Sequence, residues 1–349
     1  MPAIPGRAVD AGAAAEAAGW DGLGTVDSQN LSGDPYVFLA LAATGSERLG
    51  VATSVTNPVT RHPAVTATSA MTVQRVSGGR MVLSIGRGDS ALAYLGRAPA
   101  RVAAFERYLA QLQRYLRGEE VPFAELAMDD ALAPPVETLA LADAPDASAI
   151  HWPRDLPKVP VEVAATGPKV IALAARHAER VMFALGADPE RVAWGIELAR
   201  SAAREAGREP ATLKFGAYVN VACHDDAAVA RELARAGTSL FARFSAMHGT
   251  VSGPAEGGQE AVFLGVRERY DMNKHAQRGG AQTQVLDDAF MDRYAIVGDA
   301  ASCTARFEEL IELGIDRFSV SGPNFLARGG VDREAAERLT TDVLPGLRG

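Results

Sequence analysis

The chain has 349 residues, 48% hydrophobic and 22% charged, the make-up of a folded protein with a sizeable core and not of a disordered one. A formal net charge of −8 excludes an electrostatic grip on nucleic acid, and no segment is basic enough to restore one locally. Two cysteines, Cys223 and Cys303, with no CxxC and no histidine at ligand spacing, indicate neither a disulfide framework nor a metal site. With no apolar run of about 18 residues and no signal-peptide pattern, the expectation is a cytoplasmic enzyme for a small-molecule substrate, without nucleic-acid or membrane partners.

Residues 1–22 offer a helix over 8–18 but almost no strand before it, because Pro2 and Pro5 break anything longer than a stub. From Asp21 the alternation is regular. A strand over 22–26 ends at Asp27-Ser28, and a helix over 35–44 ends at Gly45. The β-branched run 51–55 ends in polar Thr56-Asn57-Pro58, and the apolar run 81–85 stops at Gly86-Arg87-Gly88-Asp89-Ser90. In the helix over 100–117, Val102, Phe105, Leu109, Leu112 and Leu116 recur at steps of three and four and mark one buried face. Residues 119–158, rich in proline and acidic residues, read as a long excursion over the barrel mouth.

Strands over 159–165, 180–185 and 213–222 then alternate with helices over 168–177, 189–206 and 225–236. A second insertion occupies 238–294, and a helix (299–313), a strand (315–320) and a closing helix (332–344) complete the chain. Seven strands plus a stub, alternating with helices, predict one α/β domain over 1–349, a (β/α)8 TIM barrel with a truncated first strand.

The strand ends carry the chemistry. Gly86 and Gly88 let the chain fold sharply around Arg87 against a flat ring system, and Asp89 is held at the pocket edge. A carboxyl with its pKa raised by burial there is a proton donor, or else Asp89 and Ser90 cap the next helix. Thr166-Gly167-Pro168-Lys169 lies between a strand and a helix, where the helix N-terminus attracts a phosphate. The alternative is a tight turn whose glycine merely permits the backbone angle. His62, before Pro63, points inward or caps a helix. Tyr270, Lys274, His275 and Arg278 in the second insertion form a lid or a solvated loop.

On these motifs the chain resembles the bacterial-luciferase-like superfamily of flavin and deazaflavin oxidoreductases, most nearly its coenzyme F420-dependent branch. The resemblance implies a cis peptide at Ser54-Val55 beneath the cofactor's middle ring, with Thr56 beside it, the Gly86-Arg87-Gly88-Asp89 loop around the ring, and the Thr166–Lys169 turn on the phosphate. It makes Asp27 a hydrogen-bond acceptor for the cofactor, although Asp27 equally suits a loop cap. It implies Asp89 as the catalytic acid, F420 as cofactor with FMN as the alternative, and a homodimer. Where sugar-phosphate dehydrogenases of this branch have a histidine after the aspartate, Ser28 stands here, so reduction is expected and not alcohol oxidation. The alternatives are an FMN-dependent monooxygenase and a non-catalytic flavin-binding barrel.

Overall fold

The computed structural model describes residues 1–152, 155–323, 327 and 329–348. Its centre is a sheet of eight parallel strands: β1 (Gly22–Thr25), β2 (Gly50–Thr53), β3 (Met81–Ile85), β4 (Val161–Ala165), β5 (Arg180–Phe183), β6 (Lys214–Cys223), β7 (Ile296–Gly298) and β8 (Ile315–Ser321). In space they run β1-β2-β3-β4-β5-β6-β8. The long strand β6 serves two neighbours: its residues 215–220 pair with β8, and Val221, Ala222 and Cys223 pair with β7. Three residues are too few to show a strand period, so β7 left no readable signal in the sequence.

Among the described residues no ladder joins β8 to β1, so the sheet curls into a half-barrel that is open on one flank. The stub takes part in this edge. The Met1 ammonium donates to the Gly24 carbonyl at 3.0 Å and the Val26 N–H donates to the Met1 carbonyl at 3.1 Å. Burial pushes that ammonium's pKa down.

The helices follow from local chemistry. Along Val102–Arg117 the buried residues Phe105, Tyr108, Leu109, Leu112 and Leu116 form one stripe, and Gly118 at φ +71° ends the helix in a conformation that favours glycine. The carboxylates of Asp34, Asp188 and Asp226 accept first-turn N–H groups of the helices that follow them, each cap contributing about 1 kcal/mol. His62 does the same through Nδ1, which accepts from the Ala64 N–H at 3.2 Å, so it is a cap and not a pocket residue.

Two expectations are corrected. Residues 119–158 do not cover the mouth: the described part of this segment packs against the carboxyl-terminal ends of helices Val102–Arg117 and Pro63–Val76, through Arg114–Glu125 at 2.8 Å and Arg75–Asp155 at 2.5 Å. The reason is topological. A connection from a helix to the next strand emerges at the amino-terminal end of the sheet, whereas strand-to-helix loops open on the carboxyl-terminal rim. Likewise the helix expected to stop at Ala236 continues as Ala227–Ala246. Gly237 lies inside it because a Cβ there would stand 2.2 Å from Asn220 Oδ1.

Candidate active site

A cavity of about 1420 Å³ lies within the curl of the sheet and reaches the carboxyl ends of the strands and the open flank. After β2 the Ser54-Val55 peptide is cis, as the motif implied. Against it comes Gly86, where an added Cβ would lie 3.2 Å from Val55 Cγ2. Gly88 is needed for a different reason: its φ is +87°, and a Cβ would meet Leu92 Cδ1 at 2.7 Å. Beside them Asn57 is 1% exposed, and its Oδ1 accepts the N–H groups of Val59 and Thr60. Its Nδ2 is buried at the cavity wall without a partner among the described residues, so an acceptor on a bound ligand would satisfy it.

Asp27 borders the cavity, but Oδ2 is already engaged. Thr56 Oγ1 donates to it at 2.7 Å and Arg61 forms an ion pair with it. Thr56 is therefore corrected from a cofactor contact to a support. It is fully buried and its hydroxyl is spent on Asp27, while its neighbours Val55 and Asn57 reach the cavity.

Asp89 stands at the amino end of the short helix Ser90–Ala93, yet its carboxylate caps no N–H there. It pairs instead with Arg243, whose guanidinium carbon lies 4.3 Å from the Tyr270 ring centroid. The pair is largely buried, at 19% and 12% side-chain exposure, and among the described residues Arg243 Nε has no partner. Asp89 is thus a carboxylate in an ion pair with a residue of another helix. Arg87 Nε donates to the Ala100 carbonyl at 2.6 Å, and its Nη1 lies 3.5 Å from His248 Nε2.

The Thr166–Lys169 turn borders the same cavity. Helix Pro168–His177 begins there without a side-chain cap, and among the described residues the N–H groups of Gly167 and Lys169 have no partner and Lys169 has no carboxylate. Free N–H groups at the positive end of a helix suit an anion. Across the turn lies Ser252, held by Arg191, which is fully buried and donates to Ser245 Oγ at 2.9 Å and to the carbonyls of Leu185, Ser252 and Pro254.

Gly167 has φ −89° and ψ 156°, which any residue adopts, so the angle does not demand glycine. A Cβ there would meet Ser252 Oγ at 3.7 Å, an ordinary contact. Gly167→Ala is accordingly expected to fold and bind cofactor like the wild type, whereas the branched side chain of Gly167→Val fills the anion space and weakens binding about tenfold or more, about 1.4 kcal/mol. Fluorescence titration of both variants checks this. Equal affinities would make the turn purely structural.

Deeper in the barrel, Glu162 on β4 is 4% exposed; it accepts from Ser84 Oγ at 2.8 Å and Arg317 Nη1 at 2.5 Å and forms an ion pair with Arg180 Nε at 2.8 Å. Sequence reasoning missed this cluster, and also Arg61, Arg191 and Arg243. For Arg243 a signal existed. Leu240, Phe241, Phe244 and Met247 continue the helical period past Gly237 and all border the cavity.

Parallel strands curled around one cavity, with a glycine loop, an acidic residue and an open helix start at its rim, define a barrel oxidoreductase. The chain belongs to the luciferase-like monooxygenase family, which it matches over residues 3–317. It is 26% identical to a 5,10-methylenetetrahydromethanopterin reductase from Methanolobus tindarius over 313 residues, 88% of either chain. Its fold is that of the coenzyme F420-dependent tetrahydromethanopterin reductase from Methanopyrus kandleri, with a TM-score of 0.72, 20% identity and coverage of 98% of this chain and 95% of that one. An F420-dependent secondary alcohol dehydrogenase, bound to an F420-acetone adduct, superposes equally well: TM-score 0.72, 18% identity, coverage 99% and 96%.

Proposed function

We propose that the protein is an F420-dependent oxidoreductase that moves a hydride between the deazaflavin and a small organic substrate, working as a reductase. The observation that carries this reading is the convergence of Ser54-Val55, Gly86–Asp89 and Thr166–Lys169 on one cavity, in a chain similar along most of its length to a reductase. The residues fit the group. Gly86 and Gly88 bring bare backbone to the cavity wall beside Val55, Asn57 Nδ2 offers a buried donor, and the N–H groups of Gly167 and Lys169 with the Lys169 ammonium suit a phosphate. When bound, the deazaflavin supplies the hydride.

The protein's part is to orient and to exclude water. Asp89 places a fixed negative charge at the rim and anchors Arg243 across the cavity wall. Asp27 is a positioning group that ties Thr56 to Arg61. Ser28 Oγ lies 3.1 Å from Ser90 Oγ and offers no base for alcohol oxidation, which supports the reducing direction. The reading includes a single domain over 1–349 that works as a cytoplasmic homodimer.

Titrated with both cofactors, the protein is expected to quench F420 fluorescence at lower concentration than it binds FMN. Strong FMN binding with none for F420 would replace this reading with that of an oxygen-activating FMN monooxygenase. Light scattering on the same sample is expected to give twice the chain mass, and a single-chain mass removes the dimer.

A further inference from the structure

One cluster at the cavity wall is not used by the roles assigned above. Tyr270 and His275 lie between helices Gln259–Glu268 and Asp288–Tyr294, and the Tyr270 hydroxyl is 2.9 Å from His275 Nδ1. The two rings meet edge to face, with centroids 6.0 Å apart. On the far side of Tyr270 lies the Arg243 guanidinium, paired with Asp89. His275 borders the cavity, and among the described residues its Nε2 has no hydrogen-bond partner. His62 and His224 accept backbone N–H groups and His177 pairs with Glu106, while His248, also at the cavity, has its Nε2 3.5 Å from Arg87 Nη1.

We propose that His275 is the proton carrier of the reaction, exchanging through Nε2 the proton that accompanies hydride transfer, with Tyr270 as the positioning residue that holds its ring. The proposal rests on the hydride-transfer reading above. In the reducing direction the substrate carbon forms a C–H bond with the hydride, and the displaced π pair passes to the heteroatom, directly in a C=N or C=O bond and through the conjugated carbonyl in an enone. The heteroatom takes the Nε2 proton of the imidazolium, and the neutral imidazole regains a proton from solvent. The substrate thus gains two electrons and two protons, one of them from His275.

The groups that face His275 set its charge. Burial lowers its pKa, Asp89 opposes that shift, and Arg243 adds to it, while the neighbouring Lys274 is exposed. Tyr270, whose pKa burial pushes up to about 12, keeps its proton and remains a neutral partner for Nδ1. The imidazolium is therefore a minority form at neutral pH and, when it forms, a better proton donor than that of an ordinary histidine. Reduction should speed up as pH falls toward a midpoint below the ordinary histidine value of about 6.5.

The test uses His275→Gln and Tyr270→Phe in the full chain, with reduced F420 and 2-cyclohexenone as the probe substrate, together with NMR of the histidine Cε1–H signals. In the wild type, the signal missing from His275→Gln should titrate below the usual range and shift when F420 is added, and Tyr270→Phe should move its midpoint. His275→Gln should bind F420 like the wild type, lose about 10²- to 10⁴-fold in kcat, and lose the rise toward acid pH. An unchanged kcat and pH profile overturns the proposal, as does a His275 signal that titrates normally and ignores both F420 and the loss of the Tyr270 hydroxyl. Should the wild type bind F420 without reducing the enone, the NMR measurements alone decide. Should it bind no F420, the cofactor reading fails, and the response of the His275 signal to Tyr270→Phe and to FMN decides.

Discussion

Replacing Asp89 by Asn is expected to lower turnover with reduced F420 about a hundredfold while leaving cofactor affinity nearly unchanged. The magnitude follows from geometry. The carboxylate anchors Arg243 from 154 positions away in the chain, Arg243 covers the Tyr270 ring, and Tyr270 holds His275 at the cavity wall. Misplacing such a group by about 1 Å typically costs about 10² in rate. Asparagine keeps the shape but removes the charge, and so leaves a largely buried guanidinium whose Nε is already without a partner. Arg243→Met should produce a similar loss, since it releases the same ring. Steady-state kinetics across pH separate this role from that of His275: the Asp89 variant should be slower and keep the acid-side rise with its midpoint moved to lower pH, whereas the His275 variant loses that rise. Full turnover in Asp89→Asn would reduce Asp89 to a structural ion pair.

Glu162→Gln is expected to cost about 2–4 kcal/mol of stability, because it breaks the buried pair with Arg180 and the bond from half-exposed Arg317, leaving both without their shared carboxylate. Glutamine retains the bond from Ser84 Oγ, so the loss reports on charge rather than on packing. Arg180 also pairs with Asp316, which is 50% exposed and screened by solvent. Asp316→Asn should therefore cost less than about 1 kcal/mol. Urea midpoints of the two variants, read at constant slope, check the contrast. Equal shifts would mean that the barrel interior is wet enough to screen Glu162 as well.

The strand ends that form the site were readable because their signals are local. Gly88 is glycine since its own φ is positive, His62 caps the helix two residues on, and the apolar runs before Thr166 and Gly86 need only a window of five to show a strand. The same locality made most of the order of strands and helices readable, but not β7, and it did not show that the described part of 119–158 lies at the amino-terminal end of the sheet. Three features were decided only by the tertiary structure. Whether Thr56 or Asn57 meets the cavity depends on a half-turn of backbone after a strand, which no propensity records. The open flank between β8 and β1 depends on which strand edges meet, a property of the whole curl. The Asp89–Arg243 pair joins a strand-end loop to a helix residue 154 positions away, on a helix that passes Asn220 because Gly237 has no Cβ to crowd it. Backbone preferences act over a few residues and are written into short windows, whereas ion pairs between distant segments exist only once the sheet has brought those segments together.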